Sequence, residues 1–510
     1  MLTRLPRKVV LPALLAGLVI IAGCASTGKI APQDKISDPA SLDIGSAIRD
    51  ANNDAHWPDA RWWQAYNDPK LNQWIDTANQ GSPSLAIAQA RVREALSSAG
   101  VARSALSPQI NGTMSIQHKH RPDNEFYGPG PLNNQNTWNN TGAIALDYHL
   151  DLWGKDKNSA ERALDVAHAT AADARAAQIE LDTNIVRTYI GMSRDYALLD
   201  IAQSTFSQQQ QILALAQRRL AGGIGTQLDV SQAETPLPEY ERQIESIQES
   251  IALEKNQLAA LAGKGPGSGE SIARPALALD GPDGLPTALR FELVGHRPDI
   301  VAARWTVAAQ ARGIDVAKAN FYPDTDLMAS LGGYAAAGPL FQFLKSASGS
   351  WTGGPAMSLP IFDGGRLRSE LGAQSASFDV AVSQYNETIV EALKDISDSV
   401  ITLRSLQSQD ADTQRSVASA TRSYNLAKEG FRRGLTDYVN VLVAQTQLLQ
   451  ARQGLAKIQA ARLEAHASLT EALGGGLDDP TNGPNDSTLA PSRHISPLSN
   501  LPLPGKSKTD

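Results

Sequence analysis

The sequence has 510 residues and a net charge of −7, with 42% hydrophobic but only 5% aromatic residues. An acidic chain makes nucleic acid an improbable partner. A hydrophobic fraction rich in alanine suits long helices packed side by side better than a thick globular core.

The first residues read as a targeting segment. Arg4, Arg7 and Lys8 precede an apolar stretch from Val9 to Ile21 that is short for a bilayer span, so residues 1–23 are expected to be a signal peptide. Ile21-Ala22-Gly23-Cys24 then resembles the bacterial lipobox, in which the cysteine is acylated. Cys24 is the only cysteine, so an internal disulfide is excluded and a lipid attachment point accounts for it better than redox chemistry. Ala25 and Ser26 stand where inner-membrane lipoproteins usually carry Asp, which implies sorting to the outer membrane. Residues 24–81 form a lipid-anchored N-terminal segment on this reading.

The rest of the chain holds one unit twice, over 82–262 and 297–473. Ser82 to Ser115 aligns without gaps on Arg297 to Ser330, pairing Pro83 with Pro298 and Pro108 with Pro323. Leu150 to Lys155 aligns with Ile361 to Arg366, and Leu215 to Ala233 with Leu426 to Ala444. Each unit opens with a helix whose apolar residues recur at three and four, for example Leu85, Ala88, Val92, Ala95 and Ala99.

The period then changes to two. Ile110, Gly112, Met114 and Ile116 alternate with Asn111, Thr113, Ser115 and Gln117; Ile144, Leu146, Tyr148 and Leu150 alternate with Ala145, Asp147 and His149. These define a strand hairpin over about residues 109–152, and its counterpart falls at about 324–363, with Met357, Leu359 and Ile361 on one face. Proline-free stretches from Lys155 to Gly222 and from Arg366 to Gly434 predict helices of roughly 100 Å at 1.5 Å per residue. Glycines turn each into a returning helix, with tips at about 222–226 and 432–437. Pro236 and Pro238 predict a kink in the first returning helix alone. Residues 263–296 are expected to link the units, and 474–510 to form a Pro- and Ser-rich tail.

Four amphipathic strands cannot close a barrel, because open edges in hydrocarbon leave backbone groups unpaired at several kcal/mol each. Three copies would supply about twelve strands, enough for an open lumen. The expected fold is mainly α with a small antiparallel β part: a trimeric α-helical barrel plus a 12-stranded transmembrane β-barrel. Asn111, Thr113, Asp147 and His149 would line the lumen. For the helices alone, a solid coiled-coil rod remains an equal alternative to a hollow cylinder.

Chemistry-bearing motifs are few. Gly263 to Gly269 lacks the preceding strand and the Lys-Ser/Thr of a phosphate loop, and neither a Gly-x-Ser-x-Gly elbow nor a His-Glu-x-x-His pair occurs. His118, His120 and His149 lack a supporting Cys or carboxylate cluster, so no metal site is assigned. No catalytic residue and no cofactor is expected.

Trp62 to Leu71 (WWQAYNDPKL), the run Ala86 to Arg93 and the tetrad Arg297-Pro298-Asp299-Ile300 resemble the outer-membrane factor (TolC-like) family, in its NodT-type lipoprotein branch. The resemblance covers about Trp57 to Leu473. It implies a homotrimer in the outer membrane reaching into the periplasm, coupled through a periplasmic adaptor protein to an inner-membrane RND-type pump, and passive export of drugs or other small molecules. A type I protein-secretion duct and a periplasmic coiled-coil scaffold lipoprotein are the alternatives. In the family the tips meet the adaptor, which implies contact roles for Arg218, Arg219, Gly222, Gly223, Arg432, Arg433 and Gly434. The bland alternative is that these arginines are solvated helix-end charges. Family members often ring the closed aperture with acidic residues one turn beyond the tip, where this chain has Asp229 and Asn440. Residues complementing a helix N-terminus are the other reading of that pair.

Overall fold

In the computed structural model, the structure describes residues 27–37, 42–43, 45, 60–123, 130–279, 295–335 and 337–476. The expected signal peptide, Cys24 and the tail beyond 476 lie outside the described residues. The chain divides into two compact units, one of residues 1–36, 92–170 and 303–385, the other of 37–91, 171–302 and 386–510.

The elements are mainly helical with four antiparallel strands. In chain order they are α1 (Pro69–Gly81), α2 (Pro83–Ser104), β1 (Gln109–Arg121), β2 (Gln135–His149), α3 (Lys155–Ala221), α4 (Gln227–Glu234), α5 (Leu237–Leu261), α6 (Pro266–Glu270), α7 (Pro298–Ala319), β3 (Asp324–Ala335), β4 (Gly349–Ser358), α8 (Arg366–Arg432) and α9 (Tyr438–Ala472). The duplication is visible in the lengths. The helices α2 and α7 each hold 22 residues, and α3 and α8 each hold 67.

Each long helix starts from an aspartate that accepts from a first-turn amide, Asp151 from Lys157 and Asp363 from Leu367. The alternation at Met357, Leu359 and Ile361 does not continue as a strand: β4 ends at Ser358, opposite Asp324, the first residue of β3, so the ladder stops before Leu359. The kink expected at Pro236 and Pro238 is a full break. Helix α4 stops at Glu234 and α5 restarts at Leu237, while the equivalent α9 runs unbroken for 35 residues.

In the first unit the strands form one sheet in the order β1-β2-β3-β4, every neighbouring pair antiparallel. Beside it, Ile314, Ala317, Phe321, Leu367 and Leu371 make a small core that Ile30 and Phe378 cover. The extended segment carrying Ile30 is held to α8, where the amides of Gln33 and Asp34 donate to Asp379 Oδ1 at 2.9 and 3.1 Å.

In the second unit the main core joins Trp62, Trp63, Tyr66, Leu71 and Ile75 to Ile185, Tyr189, Ile190 and Met192 of α3, Leu258 of α5 and Leu463 of α9. Asp68 caps α1 by accepting from the Lys70 amide. The segment after α6 enters the same core through Ile272 and Leu277. A second cluster beneath the helix turns contains Ile212, Ala216, Val230, Tyr424, Phe431, Tyr438 and Val441.

Candidate functional sites on the sheet and at the helix turns

Strand residues point alternately to opposite faces, so the register sorts the sheet into two chemistries. One face carries Ile110, Met114 and Ile116 of β1, Ile144 and Leu146 of β2, Leu327 and Leu331 of β3, and Trp351 and Met357 of β4. The other carries Asn111, Thr113, Ser115, Ala145, Asp147, His149, Asp326, Ser330 and Thr352. Ile110, Met114, Ile144, Leu331, Trp351 and Met357 are all exposed in the single chain, an apolar area far from what a water-facing sheet presents. The outer strands β1 and β4 each have one free edge.

At the helix end of the polar face, His149 is ringed by carboxylates. Its Nδ1 lies 2.8 Å from Asp326 Oδ1, and its Nε2 lies 3.8 Å from both Asp156 and Asp324. Lys155 Nζ meets Asp324 at 3.3 Å. The other two histidines stand apart from it: His120 faces Asn136 at 3.0 Å and His118 packs on the Trp138 ring. Among the described residues no group of three or more His, Cys, Asp or Glu is arranged for a metal ion, and no helix is long and apolar enough to cross a membrane.

In the second unit the two helix turns have the same geometry. Gly223 and Gly434 adopt φ of +73° and +77°. The Ile224 amide donates to Arg219 O at 3.0 Å, and the Leu435 amide to Gly430 O at 2.8 Å. Both are Schellman closures, which need a left-handed residue where a side chain would be strained. Gly222 continues the first turn, its amide donating to Arg218 O.

The four arginines near the turns behave differently. Arg219 is drawn inward: it donates to Phe431 O at 2.8 Å and to Ile224 O at 3.3 Å, and its guanidinium lies 4.8 Å from the Phe431 ring centroid. It ties one turn to the other. Arg432 and Arg433 both grip Glu429 and hold its carboxyl down at about 2, the Arg432 hydrogen bond contributing most. Arg218 is exposed and donates to Ala214 O of its own helix.

Asp229 and Asn440 are engaged within their own turns. Asp229 completes a capping box with Thr226, accepting from its amide and hydroxyl while its own amide donates to Thr226 Oγ1. Asn440 donates to Thr436 Oγ1 at 2.8 Å.

Sequence reading missed the apolar residues of the turns. Ile224 and Leu228 on the first, and Leu435 and Val439 on the second, are exposed at matching places of the repeat. An apolar residue directly after each turn glycine was the available signal. It also missed a charged cluster farther along the same unit, where Arg194 meets Asp195 at 2.8 Å, Glu254 at 3.4 Å and Glu464 at 4.0 Å. Burial first, and then repulsion from Asp195, push the Glu254 carboxyl up to about 8.

Comparison with known proteins places this arrangement. The family described as "Outer membrane efflux protein" matches residues 74–264 and 290–475. The fusaric acid resistance protein FusA of Burkholderia cepacia is 50% identical over 493 residues, covering 92% of this chain and 89% of that protein. The multidrug resistance outer membrane protein MdtP of Escherichia coli K12 is 28% identical over 489 residues, covering 93% and 98%. Among solved structures, the outer membrane protein VceC of Vibrio cholerae matches with a TM-score of 0.76 and 34% identity, over 82% of this chain and 100% of that one.

Proposed function

The chain belongs to the outer membrane efflux protein family and is an outer-membrane efflux channel rather than an enzyme, and from that premise we propose that three copies form the exit duct of an RND-type tripartite pump for small molecules. The observation that carries the assembly is the open sheet with one apolar and one polar face. Its outer strands β1 and β4 run in opposite directions, because three antiparallel pairings separate them. A β4 edge can therefore pair antiparallel with the β1 edge of the next copy, and the ring closes at about twelve strands with the polar faces around a lumen. Asn111, Thr113, Asp147 and His149 line it, and the apolar faces meet lipid.

Acylation of Cys24 adds a second attachment to the outer membrane. The lipobox-like Ile21 to Cys24 and the absence of any other cysteine support it. The helix turns are the surface offered to a periplasmic adaptor. Ile224, Leu228, Leu435 and Val439 give it an exposed apolar contact, and Arg218, Arg432 and Arg433 give charge around them. Gly222, Gly223 and Gly434 set the backbone shape of that surface, and Arg219 holds its two halves together. One turn further, Asp229 caps its helix and Asn440 hydrogen-bonds Thr436; a ring of the two at the narrow end of the duct is the additional role to test.

Fusaric acid is the first substrate to try, since the 50% identical relative is named for resistance to it. A deletion strain should grow poorly in graded fusaric acid or other toxic small molecules and recover with the restored gene. Unchanged tolerance to all of them, with a protein missing from the culture medium, would replace efflux by protein secretion.

A further inference from the structure

The segment between β3 and β4 does not extend away from the sheet. It folds back over it, in two short turns at Gln342–Leu344 and Ser346–Ser348 closed by amides of Leu344, Lys345 and Ser348 donating to Phe341, Gln342 and Lys345. Phe343 is buried at the centre of this fold.

The floor beneath Phe343 is a pair of glycines directly opposite each other, Gly142 of β2 and Gly333 of β3. A Cβ on Gly142 would stand 2.8 Å from Phe343 Cε2, and one on Gly333 would stand 1.8 Å from the Phe343 carbonyl oxygen. Only glycines leave room for this contact. Asn140, fully buried two residues before Gly142 on the same face, donates to Leu340 O and accepts from the Gln117 amide at 3.1 Å. The segment is therefore seated by packing and by hydrogen bonds.

The face on which it sits decides what it meets. Gly142 and Gly333 stand at even spacing from Ile144 and Leu146 on β2 and from Leu331 and Leu327 on β3, so the segment covers part of the apolar face and not the polar one. Its own outward residues extend that surface: Phe341 is 60% exposed and Leu344 70%, beside Trp351 of β4 at 81%. They continue the apolar area of Leu331 and Ile144 below. Lys345 follows Leu344, with a stem that can lie along apolar surface and an ammonium that can reach phosphate.

We infer that the β3–β4 segment is a lipid-facing lip, seated through Phe343 on the Gly142–Gly333 notch, that presents Phe341, Leu344 and Trp351 to the acyl chains of the outer leaflet and Lys345 to its phosphates. This rests on the reading of the sheet as part of a membrane barrel. The lip then widens the apolar belt at the end of the barrel away from the helices, where aromatic residues anchor membrane barrels at the interface.

The test uses the full chain reconstituted in phosphatidylethanolamine–phosphatidylglycerol vesicles. Nitroxide labels are placed singly at Leu344→Cys, Leu331→Cys and Ser330→Cys, with the unsubstituted chain as the control for label on Cys24. Collisions with oxygen, which concentrates in lipid, are compared with those of a water-soluble nickel complex. Leu344→Cys should match the apolar-face Leu331→Cys site and differ from the polar-face Ser330→Cys site. Adding Phe343→Ala should shift the Leu344→Cys label toward water and leave Leu331→Cys in lipid.

A Leu344→Cys label open to nickel while Leu331→Cys stays in lipid would overturn the lip and leave the barrel standing. A label shielded from both reagents would overturn it in favour of a second copy covering the segment. A Leu331→Cys label open to nickel would remove the barrel reading and the lip with it. Retention of the Leu344→Cys label in lipid after Phe343→Ala would overturn the seating by the glycine notch.

Discussion

The Tyr189 hydroxyl donates to the Asp68 carboxylate at 2.8 Å, joining the third helix to the residue that caps the first. The same carboxylate oxygen accepts from the Ala276 amide at 2.8 Å, so one buried group fastens the Trp62 to Leu71 motif, a long helix and the chain between the repeats. Replacing Tyr189 with Phe removes one donor and leaves the other two, a cost of about 1–2 kcal/mol. Asp68→Ala should cost more, since it strands three donors in the interior. Thermal unfolding of the purified protein should rank them wild type, Tyr189→Phe, Asp68→Ala. Limited proteolysis should find the segment around Ala276 opened in the last, and equal stability of all three would show that the core alone holds these elements.

Under the proposed adaptor contact, the turn geometry separates residues that would shape that surface from residues that would touch the partner. Gly434 sits at φ +77°, where a side chain is strained, so Gly434→Trp should abolish efflux by deforming the second turn while the assembly persists. Ile224→Asp with Leu435→Asp keeps both backbones and removes the exposed apolar contact, so drug tolerance should fall to the level of the deletion strain. Cross-linking of copies in the membrane should stay at wild-type yield in each case. Wild-type tolerance in the double variant would take the adaptor contact away from these residues.

Much of this arrangement was legible in the sequence because it depends on period and repetition. Alanine spacing gave α2 and α7, alternation gave β1 and β2, repetition gave the place of their counterparts, and Gly223 and Gly434 gave the turns at equivalent places. What could not be read depends on contacts between distant segments. Tyr189 and Asp68 lie 121 positions apart, and neither has a neighbour in sequence that announces the bond. Arg219 looked like its neighbour Arg218 until Phe431, 212 positions away, drew it inward. Nothing local revealed that the chain after α6 packs through Ile272 and Leu277, since two apolar residues within a Gly- and Pro-rich stretch carry no period.

Asp229 has an observed capping role and a proposed role at the aperture, and the two are separable. As the third residue of a capping box it accepts from the Thr226 amide at 2.9 Å, and Asp229→Ala should cost about 1 kcal/mol of local stability. Hydrogen exchange across Gln227–Glu234 would measure that loss. Single-channel recording of the same variant reads the other role. A ring of Asp229 at the narrow end predicts lower cation preference and altered conductance, and an unchanged channel with a frayed helix would leave capping as its whole function.

Glu254 predicts a pH dependence with a definite sign. Its carboxyl rises from an ordinary value of 4.5 to about 8, because burial and the neighbouring Asp195 outweigh the help of Arg194. Asp182, buried and bonded to Asn79 at 3.0 Å, rises to about 7, again chiefly through burial. A raised carboxyl means that the folded state holds a proton the unfolded chain has released, so the stabilisation is fully present below the unfolded values of 3.8 for Asp182 and 4.5 for Glu254 and is lost as pH climbs through 7 to 8. The unfolding temperature of the purified protein should therefore fall between pH 5.5 and 8.5. Glu254→Gln with Asp182→Asn keeps neutral, hydrogen-bonding side chains throughout that range and should flatten the slope, the variant gaining on the wild type as the pH rises. Arg194 is the alternative determinant: if it keeps Glu254 ionised, Glu254→Gln alone will leave the wild-type pH profile unchanged, and the slope will follow Asp182.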